Sequence, residues 1–155
     1  MTSKCSGINV FSAEPVEARF NSVIAGVDEL VDASYAEGAP YVAPGFIDVH
    51  THGAIGVDVN AASADELMKV AAFLARNGVT AWVPTLVPDS DETYRRAIAA
   101  IDEVMERQTG LAVAEVVGVH YEGVFASEKM CGALRPEFFR SCRWSLTGGQ
   151  LPRLK

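Results

Sequence analysis

Hydrophobic positions along this chain change their period several times, and each change marks an element. Tyr41-Val42-Ala43 leads through Pro44-Gly45 into Phe46-Ile47-Asp48-Val49, an apolar run short enough for one strand. The period then lengthens. Leu67, Val70, Ala71 and Leu74 fall at i, i+3, i+4 and i+7, which predicts a helix with one apolar face. Ser63 and Glu66 form an S-x-x-E capping box at its head, and Asn77-Gly78 supplies a left-handed stop. Val79–Thr85 is rich in β-branched and aromatic residues and predicts a second strand. A second helix opens at Pro88-Asp89, with Asp89 as N-cap and Glu92 as the acid three positions on. Its apolar stripe is Tyr94, Ala97, Ile98, Ile101, Val104 and Met105, and Arg95, Arg96, Asp102, Glu103 and Arg107 form a solvated face. Gly110 ends the connection, and the near-continuous apolar run Val113–Val119 predicts a third strand of the kind covered on both faces in a parallel sheet.

Before Tyr41 the pattern is weak. Gly7–Phe11 and Ser22–Val27 are strand candidates, and Gly38-Ala39-Pro40 reads as a turn. Three regions follow: a partial β segment over 1–43, a β-α-β-α-β core over 44–140, and residues 141–155, whose composition differs from the rest. The fold class is α/β with a parallel sheet. Such sheets carry their sites at the carboxyl ends of the strands, in open sheets and in eight-stranded barrels alike, and pattern alone does not separate the two. No Gly-x-Gly-x-x-Gly follows a strand, so a dinucleotide-binding fold has no positive support.

Composition narrows the function. With 155 residues, 49% of them hydrophobic, the chain can bury one ordinary core. The net charge of −7, without a basic stripe before residue 139, argues against nucleic acid as the main partner. No apolar run reaches the length of a membrane span, and the start lacks a secretory pattern, so a cytoplasmic location is expected. Cys5, Cys131 and Cys142 form no C-x-x-C and are expected as free thiols, with Cys131 a small buried hydrophobe.

The chemistry concentrates in two segments that hold all three histidines. Pro44–Gly53 carries His50 and His52, and Gly118–Gly123 carries His120 and Glu122. Strand side chains alternate with period two, so His50 and His52 share a face, as do His120 and Glu122. Imidazoles and a carboxylate at the ends of neighbouring strands are the donors that a divalent metal takes from a protein, and metal-dependent hydrolysis is the chemistry they suggest. A single histidine after a strand more often braces it by hydrogen bonding. That alternative stays open for His120.

Pro44–Gly53 resembles the first-strand motif of the amidohydrolase superfamily. His120-Tyr121-Glu122-Gly123-Val124-Phe125 is similar to the His-Leu-Glu-Gly-Pro-Phe stretch of N-acetylglucosamine-6-phosphate deacetylases. The loop Gly53–Asn60 and the strand ending Pro84-Thr85-Leu86 resemble the same family, and the likeness covers about residues 40–140. The resemblance implies that these are the first three β/α units of a (β/α)₈ TIM-type barrel. It implies Glu122 as metal ligand, His50 and His52 as further ligands, and His120 and Ala133 as substrate-binding residues. The expected cofactor is a divalent metal, zinc first, with iron, manganese or cobalt open. The expected partner is a small amino-sugar phosphate that loses acetate, and a homo-oligomer is compatible with it.

Three departures stand out. Val124 takes the place of the family's proline, and Cys131-Gly132-Ala133-Leu134 lacks the histidine of the family's Lys-Gly-Ala-His. No histidine follows His120 and no acid follows Glu137, whereas the family draws two more metal-binding histidines and a general-base aspartate from later strands. A barrel takes about 250 residues. The basic stretch SCRWSLTGGQLPRLK over 141–155 resembles nothing in the family, so a truncated or frameshifted deacetylase, inactive alone, is the expectation. Two other readings compete: a cyclic-amide hydrolase or deaminase, which usually puts lysine or histidine at the Glu122 position, and a non-catalytic fragment.

Overall fold

A computed structural model of the chain describes residues 2–21, 24–30, 38–141 and 151–154. It forms two compact units, Met1–Pro44 and Gly45–Lys155. The first holds β1 (Ser3–Asn9), β2 (Pro15–Phe20), β3 (Ile24–Glu29) and β4 (Tyr41–Val42), in the order β3-β2-β1-β4. β1–β2 and β2–β3 are antiparallel, and β4 runs parallel to β1. The first strand lies earlier than the Gly7–Phe11 expectation, because Phe11 belongs to the turn: the Asn9 side chain accepts its N–H at 2.9 Å and ends the strand. β2 was not foreseen. Its proline occupies the first strand position, where a missing donor costs least, and the residues after it alternate with period two. Val16 and Ala18 are buried, while Glu17 and Arg19 pair outward with Lys4 and Asp28 across the sheet, each at 2.7 Å. Of the Ser22–Val27 expectation, residues 22 and 23 lie outside the described residues, and the strand continues instead to Glu29.

The second unit runs β5 (Phe46–Thr51), α1 (Ala64–Arg76), β6 (Val79–Leu86), α2 (Asp91–Arg107), β7 (Glu115–Val116) and β8 (His120–Tyr121). All its strand pairs are parallel. The order is β5-β6-β7, with β8 on the carboxyl end of β6. α1 starts at the foreseen capping box: Ser63 Oγ accepts the Glu66 N–H while Glu66 accepts the Ser63 N–H at 2.8 Å. It stops at Gly78, whose φ of +83° a residue with a Cβ would adopt only under strain. Leu67, Val70, Ala71 and Leu74 of α1 meet Tyr94, Ala97, Ile98, Ile101 and Val104 of α2 in one core with Trp82, Leu86 and Val116. Each fully buried large side chain there contributes about 1.5–3 kcal/mol.

Several local expectations are corrected. Ser90, not Asp89, caps α2; its hydroxyl accepts the Thr93 N–H at 3.1 Å. Asp102, placed on the solvated face by its charge, is buried. Cys131 is half-buried rather than a core residue, with its Sγ donating to the Glu128 carbonyl at 3.3 Å. Of the strand expected over Val113–Val119 only β7 forms, and β8 starts just beyond it at His120. Gln108 closes the open edge of β7: its amide donates to the Val116 carbonyl at 3.0 Å and accepts the Val116 N–H at 2.7 Å, occupying the groups a further strand would pair with. Two single-turn 3₁₀ segments, Glu128–Met130 and Pro136–Phe138, follow β8. Cys142 and most of the 141–155 stretch lie outside the described residues. Within 151–154, Leu151 and Leu154 pack on the core, and the Tyr121 hydroxyl donates to the Pro152 carbonyl at 2.6 Å.

Candidate metal centre

The carboxyl ends of β5, β6 and β8 meet at one edge of the second unit. His50 projects from β5 and His52 follows its last residue. Pairing of β8 with β6 sets Thr85 beside His120, and the Glu122 N–H donates to the Leu86 carbonyl at 2.9 Å. The loop leaving His52 turns back at once. Gly53 has φ +125°, and a Cβ there would lie 2.0 Å from the Val57 carbonyl oxygen, so only glycine lets the chain close on itself at this point. The Val59 N–H then donates to the His52 carbonyl at 2.9 Å.

This arrangement brings three side chains to one place. Glu122 Oε2 lies 3.2 Å from His50 Nε2 and 3.0 Å from His52 Nε2, and one donor atom from each of the three residues falls within 4.8 Å of the others. The His120 ring stands edge-on to His50 at 4.9 Å between centroids, but it is not part of that group. Ala133 is exposed, next to Leu134, which packs toward Gly123.

The donor set fits a cation. His52 Nδ1 lies 3.3 Å from the Thr85 carbonyl oxygen, which can only accept, so Nδ1 carries the hydrogen. In the neutral ring Nε2 then holds a lone pair, and it faces a carboxylate oxygen. Two acceptors in contact need positive charge between or on them. Bonds of about 2.1 Å to one ion put neighbouring ligand atoms about 3.0–3.4 Å apart, and the spacing around Glu122 matches.

Thr85 was missed as a site residue. It is fully buried, its hydroxyl accepts the Thr51 N–H at 3.1 Å, and the same oxygen lies 3.3 Å from His120 Nδ1. The available signal was its place in Pro84-Thr85-Leu86 at the carboxyl end of a central strand. Beside the centre, the buried Asn60 ties the loop after β5 to the loop after β6, accepting the Val87 N–H at 3.0 Å and donating to its carbonyl at 3.1 Å. Asp89 meets Arg135 at 2.5 Å. Burial pushes the Asp89 carboxyl up, but the Ser90 N–H, the Arg135 guanidinium and Thr93 outweigh it and hold the group below its ordinary value. Burial, with Tyr94 adding to it, pushes the Tyr121 phenol well up, so it stays a neutral donor.

A parallel α/β unit with polar donors gathered at its strand carboxyl ends places the chain among the α/β proteins that do their chemistry at that edge. No protein-family model matches the chain. It is 35% identical over 120 residues to the N-acetylgalactosamine-6-phosphate deacetylase of Escherichia coli O157:H7, a match covering 77% of this chain and 31% of that protein. It is 39% identical over 103 residues to the N-acetylglucosamine-6-phosphate deacetylase of Danio rerio, covering 64% of this chain and 25% of the relative. Among solved structures, the N-acetylglucosamine-6-phosphate deacetylase of Pasteurella multocida superposes with a TM-score of 0.74 at 19% identity, over 96% of this chain and 41% of that one; at that identity it speaks for the fold alone. The Mycobacterium smegmatis enzyme, solved as an aspartate-to-alanine variant with N-acetyl-D-glucosamine 6-phosphate, gives a TM-score of 0.65 at 27% identity, over 86% and 35%. In sequence and fold the chain corresponds to the N-terminal portion of the N-acetylglucosamine-6-phosphate deacetylases. It spans 25–31% of the length of these curated relatives. Among the described residues no helix is long and apolar enough to cross a membrane.

Proposed function

We propose that this chain carries part of the active site of a metal-dependent deacetylase acting on N-acetylglucosamine 6-phosphate, with His50, His52 and Glu122 as ligands of a divalent metal. The observation that carries the reading is the approach of two imidazole Nε2 atoms to one Glu122 oxygen at 3.2 and 3.0 Å. Imidazole with carboxylate suits zinc first, then iron, manganese or cobalt. When bound, such an ion lowers the pKa of a coordinated water and polarises the acetamide carbonyl. The protein's own part is to hold the donors. Glu122 supplies negative charge from a strand end pinned by its N–H, and the Thr85 carbonyl, 3.3 Å from His52 Nδ1, leaves His52 Nε2 turned toward Glu122. His120 and Ala133 are assigned to the substrate side, and residues 44–140 to the first three β/α units of a barrel after a partial β segment over 1–43. Residues 141–155 are assigned to an atypical tail.

Titration of the chain and of Glu122→Gln with zinc or cobalt tests the ligand set. Loss of a liganding carboxylate should weaken binding by about tenfold or more, and equal affinities would remove Glu122 from the site. Acetate release tests the activity, with both N-acetylglucosamine 6-phosphate and its galactosamine epimer as substrates because relatives of both names match. The 155-residue polypeptide contains no histidine beyond the three at this edge. The three donors gathered here make a partial ligand shell, so acetate release by this polypeptide is expected to be slow. Robust turnover abolished by Glu122→Ala would overturn that expectation.

A further inference from the structure

The segment that follows Glu122 leaves and returns at one point. It departs at Val124 and comes back at Arg140, whose N–H donates to the Val124 carbonyl at 2.7 Å. Between these feet stand the two 3₁₀ turns, Cys131 and Ala133. Compact loops with closed ends are usually packed by their own side chains. This one has little such packing: from 124 to 140 only Val124 is fully buried, and Phe125 and Met130 are 51% and 87% exposed. Apolar burial therefore gives it a weak hold.

Polar bonds to the neighbouring loop supply the rest. One nitrogen of the Arg135 guanidinium donates to the Pro88 carbonyl at 3.1 Å and to Asp89 Oδ2 at 2.5 Å. The guanidinium lies over the Phe138 ring, 4.8 Å from its centroid, which steadies its plane. Arg140 pairs with Asp91 at the head of α2. The receiving side is already in place. Asp89, its side chain 13% exposed, also accepts the Ser90 N–H at 2.7 Å and faces the Asn60 amide at 3.4 Å. Asn60 in turn fastens the loop that follows His52 to Val87. Residues 87–89 are thus the point to which the loops leaving both ligand-bearing segments are tied. We propose that Arg135 is a latch: docked on Pro88 and Asp89 it holds the 124–140 loop closed beside the centre, and its release frees that loop, with Ala133, while Glu122 stays in place.

An isolated exposed ion pair would hold little. Here the carboxylate is largely shielded from water and takes donors from three residues, which strengthens each bond and keeps the oxygen where Arg135 needs it. Glu122 is independent of the latch because its N–H is held by the Leu86 carbonyl at the end of β6. Release of Arg135 therefore separates two functions of one segment, the ligand at its start and the main chain of Ala133 further on. The inference rests on the proposed substrate side only for the role of Ala133.

Residue-by-residue amide exchange of the metal-free chain tests the latch. Exchange between 125 and 139 should rise by about tenfold in Asp89→Asn and in Arg135→Gln. The double variant should exceed neither, because the two groups act as a unit. Exchange in α1 and β6 and the affinity for zinc should not change. Salt at about 1 M, which confines charges to a reach of about 3 Å, should open the loop of the unaltered chain and add nothing to the double variant. Additive effects in the double variant, or unchanged exchange in both single variants, would overturn the latch. Equal acceleration in β6 would do so too, since Arg135 would then support the fold as a whole. The Ala133 amide of the zinc-loaded chain, followed during titration with N-acetylglucosamine 6-phosphate, should shift in the unaltered protein and less in Arg135→Gln. A loop that opens as expected, with no shift at Ala133 in any variant, would defeat the substrate-side assignment and leave the latch standing.

Discussion

β5 and β6 lie side by side, pair in parallel, and are both apolar in sequence, yet their side chains occupy different surroundings. On β6, Trp82, Thr85 and Leu86 are all 0% exposed, with β5 on one edge, β7 and β8 on the other, and α1 packed against the strand. On β5, Phe46, Ile47 and Val49 are 70%, 65% and 64% exposed, and among the described residues the strand is paired along one edge alone. An apolar strand therefore states which surroundings suit it, while burial depends on what the rest of the chain brings there. The site inherits this asymmetry. His50 rides on the open strand, whereas Thr85, in contact with Thr51, His52 and His120, sits on the closed one.

The largest effect should come from truncating a side chain on the closed strand. Trp82→Ala is expected to cost about 3–5 kcal/mol in urea unfolding, because the cavity it leaves has packed walls. Val49→Ala on the open strand should stay within about 0.5 kcal/mol. Comparable losses would mean that β5 is covered in solution and would break the comparison.

Next comes the far edge, where Gln108 stands in for a missing strand. Gln108→Leu keeps the volume but leaves the Val116 N–H and carbonyl without their partner, an expected loss of about 1–3 kcal/mol. Amide exchange at Val116 should accelerate beyond the global change. An unaltered exchange rate would show that the amide does not close this edge.

The smallest effect is on acid stability. The Asp89 carboxyl in the loop after β6 is held below its ordinary value, so the folded state favours its ionised form. That contribution is complete above the unfolded value of about 3.9 and fades as pH falls through the lower folded value. In Asp89→Asn the stability curve should flatten below about pH 4 relative to the unaltered chain and keep its shape above it. A change confined to neutral pH would assign Asp89 a different role.

Much of the second unit was legible in the residues because its signals are local. The Ser63–Glu66 capping box, the Leu67–Leu74 stripe, the Asn77-Gly78 stop and the β-branched run into Thr85 all act within a few residues of each other. The period-two spacing of His50 with His52 and of His120 with Glu122 was equally local. Errors arose where a distant partner decides. Pairing with β6 at two separate places left the third strand as the short β7 with β8 beyond it, packing buried Asp102 despite its charge, and Ser90 displaced Asp89 as cap because Asp89 is held by Asn60 and Arg135.

The sequence by itself determined which side chains face together at each strand end and which helices have a face to bury, since both follow from the fixed periods of 2 and 3.6 residues. It also determined the chemical type of the centre, two imidazoles and a carboxylate. The tertiary structure alone decided that the ends of β5 and β8 meet, across a register set by their common neighbour β6, and hence that Glu122 approaches both Nε2 atoms. Pairing partners on another strand fix that meeting, and no periodicity within a single strand encodes them.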